Sequence, residues 1–243
     1  MMAAEMIIVW MVVMFGAMMQ GLTGLGFALV SVPVLLIFLD ARTVVAITLI
    51  LSSVLNALIL FQTRKHLSWK DAVPITVGSL LGVPFGSYLL LVLSPEALKV
   101  MAALMALLFS IPLMMGFRRR IQHQQTACVI TGAVSGALQS CTSMGSPPVA
   151  LFMANQGYPK EEFRGILVLR SMAASSLSVV ALMPSGLLNS HVALQALLMV
   201  PAMLMGLAVG SLLVKAVPQD LFRKLTIVTI AVAALLSLAS VLI

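Results

Sequence analysis

Two long apolar stretches, residues 6–39 and 126–154, are each broken by small and polar residues that cannot carry a helix cleanly through a bilayer. The first break reads Gln20, Gly21, Leu22, Thr23, Gly24, Leu25, Gly26. The second reads Gln139, Ser140, Cys141, Thr142, Ser143, Met144, Gly145, Ser146, Pro147, Pro148. Gly and Pro are poor helix formers, and two successive prolines remove two backbone donors. At membrane depth, broken backbone survives only where protein or a wet cavity supplies the missing hydrogen-bond partners. The two breaks are therefore read as the walls of one polar site.

The rest of the chain fits a membrane protein. Of 243 residues, 61% are hydrophobic and only 9% charged, with mean hydropathy +1.15. Soluble domains carry about 25% charged residues. The net charge of +7 sits in short loops. There it sets orientation and meets anionic lipid headgroups, so no nucleic-acid partner is implied. No polar stretch is long enough for a soluble motor domain, and no GxxxxGK[ST] loop is present. Cys128 and Cys141 both lie in apolar segments, which argues against a disulfide and is too few for a zinc site. No metal or cofactor is expected. The N-terminus has no basic run and is read as a retained membrane segment.

Six segments have spanning length: 43–62, 72–93, 97–116, 163–183, 192–214 and 221–243. As one helix, 6–39 would be roughly 51 Å long, too long for a hydrocarbon core of about 30 Å. Cut at its glycines, it gives two pieces of roughly 20 Å each. Loop charge chooses between single crossings and re-entrant hairpins. With single crossings, six basic residues face seven. With hairpins, only Arg42 and Lys99 face one side, and eleven others (Arg64, Lys65, Lys70, Arg118, Arg119, Arg120, Lys160, Arg164, Lys215, Arg223 and Lys224) face the other. Hairpins are expected, with the basic loops cytoplasmic and both termini outside.

The expected fold is an all-α polytopic membrane protein made of two inverted repeats, 1–121 and 122–243. Each holds one re-entrant hairpin and three transmembrane helices, a common plan for secondary transporters. Gly82, Pro84, Gly86 and Ser87 match Gly206, Ala208, Gly210 and Ser211, and Arg42 aligns loosely with Arg164. The spacing of Gly78, Gly82 and Gly86, and of Gly206 and Gly210, suits close helix packing.

The candidate site residues are Gln20, Gly21, Thr23, Gly24 and Gly26 in the first break. In the second they are Gln139, Ser140, Thr142, Ser143, Gly145, Ser146 and Pro147. Helix N-termini following Gly26 and Gly145 would aim free N–H groups at an anion. Asn56 lies inside the 43–62 span. Ser52 and Ser53 on that span, with Ser175, Ser176 and Ser178 on its counterpart, line the site or join helices. Arg170 lies inside a span, where a charge faces a cavity or snorkels to the surface. Arg164, nearer the interface, meets substrate or headgroups. No buried carboxylate is expected to carry a proton, so a coupled proton would travel on the substrate. Nothing brings Ser146 and His191 together as a nucleophile and base, and no enzyme is expected. A channel and an assembly factor for another membrane protein remain alternatives.

These same residues resemble the TauE/SafE family of sulfite exporters. Gly21, Gly24, Gly26 and Pro33 resemble its glycine-rich signature. Met144 to Phe152 resembles its Gly-Gly-Pro-Pro element, and Gly157, Tyr158, Pro159, Phe163 and Arg164 resemble the loop that follows. Phe27 and Ser146 stand where the family often has glycine. The resemblance implies a permease for small sulfur anions, such as sulfite or an organosulfonate, in the bacterial inner membrane. The expected partners are that anion, lipid and, as an open alternative, a second copy of the chain.

Overall fold

The computed structural model describes residues 3–64, 67–114, 124–214, 216–218, 221, 224–225 and 228. Lys65, His66, Arg118, Arg119, Arg120, His123, Lys215, Arg223 and most of the 221–243 span lie outside the described residues. Among the described residues the chain is all helical. The helices are α1 (Ala3–Thr23), α2 (Phe27–Phe38), α3 (Ala41–Thr63), α4 (Trp69–Val92), α5 (Pro95–Met114), α6 (Gln124–Thr142), α7 (Ser146–Gln156), α8 (Lys160–Leu182) and α9 (Ser190–Leu213). Five helical stretches are long and apolar enough to cross a membrane. The chain is thus a multi-pass membrane protein.

Both sequence breaks are helix breaks. α1 stops at Thr23 and α2 starts at Phe27; α6 stops at Thr142 and α7 starts at Ser146. Gly16 of α1 packs on Phe27 and Ser31 of α2, so the chain folds back on itself at Gly24. The pieces are unequal, against the expected even cut. α1 has 21 residues and α2 has 12. At 1.5 Å per residue these are about 31 Å and about 18 Å. The isolated Gly16 is carried within α1, and the helix stops only where Gly21, Thr23 and Gly24 cluster. Pro147 and Pro148 start α7 instead of breaking it, because the first helical turn has no use for their missing N–H groups.

One end of the second hairpin is tied together. Gln124, at the start of α6, donates to the Tyr158 hydroxyl just after α7 at 2.9 Å. Tyr158 donates to Asp71 at the start of α4, at 2.7 Å, and Gln124 also reaches Asp71 at 3.3 Å. Lys160 donates to Val217, beyond the end of α9, at 2.6 Å. The starts of α4, α6 and α8 and the end of α9 therefore share one face, here called the basic face for Arg64, Lys70 and Lys160. On the far face, Arg42 donates to the Leu91 and Leu93 carbonyls. Asp71 is 8% exposed. The sequence reading assumed no buried carboxylate; this one is shielded by the elements around it, which its place at a helix start did not reveal.

Burial, then the bond to Asp71, pushes the Tyr158 phenol above its usual range. The group is raised on folding, so its contribution is complete below about pH 10 and fades as pH climbs through the folded value. Tyr158→Phe should lower the melting temperature by the equivalent of about 1 kcal/mol at pH 7.5. It should also remove part of the alkaline loss of stability seen in wild type. Thermal melts in detergent from pH 7 to 11 check both; equal curves would mean the phenol contributes nothing.

Two seams hold the bundle. At Gly78, Gly82 and Gly86 of α4, a Cβ would strike the carbonyls of Val129, Ala133 and Ala137 on α6. Gly132 and Gly136 of α6 lie equally close to Ile75 and Ser79. On α9, Gly206 and Gly210 meet Met14 and Met18 of α1. The glycine spacing thus does what small residues do in membranes: it brings helix backbones into contact.

Candidate functional site

The two breaks are built alike. Thr23 donates to the Met19 carbonyl at 2.8 Å and Thr142 to the Leu138 carbonyl at 2.9 Å. Each hydroxyl also accepts an N–H from beyond the break, Leu25 at 3.3 Å and Met144 at 3.2 Å. Gly24 and Ser143 both turn left-handed, with φ of 78° and 61°. Glycine does this freely; serine does so at a cost. Ser143 is held there by the Thr48 hydroxyl at 2.8 Å and the Val45 carbonyl at 3.2 Å. The threonines thus brace the turns, and neither lines the cavity between the glutamines.

The glutamines cross-link each break to a long helix. Gln20 donates to Asn56 of α3 at 2.7 Å, and Gln139 donates to Ser175 of α8 at 2.9 Å. Both pairs lie 36 residues apart in sequence. Gln20 also donates to the Gly24 carbonyl and accepts the first N–H of α2, from Phe27, both at 3.1 Å. That N–H is therefore already engaged. With Pro147 and Pro148 lacking theirs, the two helix starts offer fewer free donors than expected, and side chains supply most of the polar surface.

Between the glutamines lies a cavity of about 10 Å³, room for roughly one water. Gln20, Gly26, Asn56, Gln139, Ser143 and Ser146, all named from the sequence, line it. Ser52 and Ser171, near the middles of α3 and α8, complete its polar wall, with Ala28, Leu29 and Met144. The other expected residues lie elsewhere. Gly21 packs on Leu207 and Gly210 of α9, and Gly145 lies against Ser135 and Gln139. Ser140 meets Ser87 of α4 at 2.6 Å. Pro147 is buried in the first turn of α7. Ser53 bonds within its own helix, to the Leu49 carbonyl.

Arg170 is fully buried directly behind this wall. It donates to Ser135 at 2.7 Å, Ser171 at 2.5 Å, Ser146 at 3.1 Å and Gln139 at 3.4 Å. Three of those four partners line the cavity. Among the described residues its Nε has no partner and no carboxylate is bonded to it. It does not snorkel. Ten residues into α8, it sits about 15 Å along the helix, half a bilayer core deep. A buried cation held by neutral hydroxyls and an amide leaves its positive charge uncompensated and available to an anion. Sequence reading missed Ser135 as part of this cage. The signal was present, since Ser135 precedes Gln139 by four residues and shares its helix face.

Arg164 is 7% exposed, and its Nε and Nη2 have no partner. It does not line the cavity. It lies against the first tip, where a Cβ on Gly24 would sit 3.0 Å from its Cα and Cγ. The tips therefore reach past one another. Gly24 meets α8 about one turn from its start, and Ser143 meets α3 near Val45, while the glutamines cross at mid-depth.

A family model described as Sulfite exporter TauE/SafE matches residues 9–237. No curated protein and no solved structure matches the chain.

Proposed function

The chain belongs to the sulfite exporter TauE/SafE family, a family of membrane transporters, and on that premise we propose a secondary permease that moves a small sulfur oxyanion, sulfite foremost, by alternating access around the cavity between the hairpins. The observation that carries this is Arg170, buried at mid-depth with a hydroxyl and amide cage and no acid partner. An anion with several acceptor oxygens matches serine hydroxyls, amide N–H groups and a guanidinium. A cation does not. The cavity holds about one water, too little for an open channel, so the tips must part before an anion can enter.

The proposal includes two inverted repeats, 1–121 and 122–243, each with a re-entrant hairpin. Its support is residue by residue. Gln20 and Gln139, Thr23 and Thr142, Gly24 and Ser143, Ser52 and Ser171, and Asn56 and Ser175 stand at one constant offset and occupy like positions. The same offset pairs Arg164 with Val45, not with Arg42, and pairs Arg170 with Leu51. The bonds among Gln124, Tyr158 and Asp71 support a second hairpin that leaves by the face it entered. The basic face is proposed to be cytoplasmic in a bacterial inner membrane, with the termini on the other side. A proton, where one is coupled, is proposed to move on the anion itself.

Flux in proteoliposomes tests the function. Sulfite should move saturably and follow an imposed pH gradient. Sulfate, chloride, taurine and sulfoacetate should move at least tenfold more slowly. If none of these anions moves through purified, monodisperse protein, the permease reading is wrong and an assembly role for another membrane protein takes its place.

A further inference from the structure

We infer that Arg164 forms a second station for a small oxyanion, on the basic side of the central cavity and separated from it by the tip of the first hairpin. The inference rests on the permease reading above, but on different atoms. Arg164 is more than nine-tenths buried, and two of its guanidinium nitrogens have no hydrogen-bond partner. Leaving a buried charged donor unpaired is expensive, and a long side chain one turn from a helix start has an easy route to the surface. The nearest acid on its own helix, Glu161, is about half exposed and ion-paired with Lys160 at 3.7 Å. Among the described residues no carboxylate forms an ion pair with Arg164, although Glu161 acts on it at longer range.

Its position gives that vacancy of partners a use. Arg164 and Arg170 lie on one helix, six residues and so about 9 Å apart along the axis. What stands between Arg164 and the cavity is the first tip. Gln20, on the cavity wall, donates to the Gly24 carbonyl, and Gly24 packs directly on Arg164. The corresponding contact on the other side is different in kind. There Ser143 is bonded to Thr48 and Val45, and the cation beside that tip is Lys99, which lines a small cleft with Val45 and Thr142. One tip is latched to α3 by hydroxyls. The other rests on the backbone and stem of Arg164 through a glycine that offers no side chain to bond it. An anion leaving the central site toward the basic face meets a free cation as soon as the first tip shifts. The same cation draws anions from that face toward the closed tip.

Binding of radiolabelled sulfite to purified protein, measured beside flux, tests this. Wild type should bind two sulfites per chain, the second more weakly. Arg164→Gln should lose the weaker site, keep the tighter one within threefold in Kd, and transport at least tenfold more slowly. Arg164→Lys should regain much of the flux. Arg170→Gln should lose the tighter site. One sulfite per chain in wild type would overturn the inference, whether or not Arg164→Gln folds. So would two sites, or unchanged flux, in folded Arg164→Gln. Loss of all binding in folded Arg164→Gln would merge the stations into one and overturn it equally. If Arg170→Gln keeps both its tight site and its flux, the central-site reading fails instead, and the Arg164 station stands or falls on its own variants.

Discussion

Arg170→Leu should reduce sulfite flux at least a hundredfold while the protein remains folded in the membrane and melts no lower than wild type. The two halves of this expectation have separate causes. Transport falls because the guanidinium is the charge directly behind the cavity wall, with Ser146, Ser171 and Gln139 as its relay to the bound anion. A hydrogen bond to a charged group contributes about 1.5–3 kcal/mol, and about 1.4 kcal/mol is a factor of ten, so losing the charge and its relay together reaches a hundredfold. Stability holds because the arginine is a burden on the empty fold. A charge at the centre of a membrane helix costs at least about 2.5–3.5 kcal/mol, and this one has hydroxyls but no carboxylate to offset that cost. The proposed repeat offers its own precedent: the equivalent of Arg170 in the first half is Leu51, which is fully buried. Serines 135, 146 and 171 can return their hydroxyls to helix carbonyls or water. A pair of measurements decides the matter, flux in proteoliposomes and a melting curve in detergent. Wild-type flux in the leucine variant would remove Arg170 from the site. Loss of folded protein would make it a structural residue.

The same residues show what could and could not be read in advance. Gly24, Gly26 and Gly145 marked the breaks because they stand among polar residues, whereas Gly16 and Gly136 in the same apolar runs stay helical and pack against neighbouring helices. Gln20, Asn56 and Gln139 were legible as polar groups with no reason to be in lipid. The hydroxyls were harder. Thr23, Ser140 and Thr142 have the same composition signal as Ser143 and Ser146, but they brace turns or join helices. A helix face cannot be assigned where the helix is about to end, so the sequence could not sort the two groups. Arg170 left snorkelling and cavity open until the cage of Ser135, Ser146 and Ser171 was seen to hold it inward. The length of α1 was missed for a related reason. Even halves were assumed, whereas the tips extend past mid-depth and let Gly24 reach Arg164. Asp71 was missed because burial at a helix start depends on what packs over it, here Gln124 and Tyr158, far away in sequence.

Gly136→Val should prevent the protein from folding, the largest stability effect expected anywhere in the chain. A Cβ on Gly136 would overlap the Ser79 carbonyl oxygen and lie 2.6 Å from its carbon. Those are backbone atoms, so no rotamer change relieves the collision; α4 and α6 would have to separate along their whole seam. Ordinary overpacking costs about 1–3 kcal/mol, and a displaced seam of five glycine contacts costs more. Gly186→Ala is the control. Its φ of 74° penalises a side chain, but nothing lies within 4 Å of the new Cβ, so it should cost only about 1 kcal/mol. Size-exclusion profiles of the two variants should differ sharply, with aggregate for the first and a wild-type peak for the second. A monodisperse, active Gly136→Val would mean the seam is loose. The result also bears on how the carrier moves. α4 belongs to the first proposed repeat and α6 to the second, and α1 and α9 are joined across the same boundary. If the seams cannot open, the two repeats cannot rock against each other as whole halves. α4 must travel with the second hairpin and α9 with the first. The surface left to open and close is then the one between those two bodies, where the glutamines cross and where Gly24 rests on Arg164.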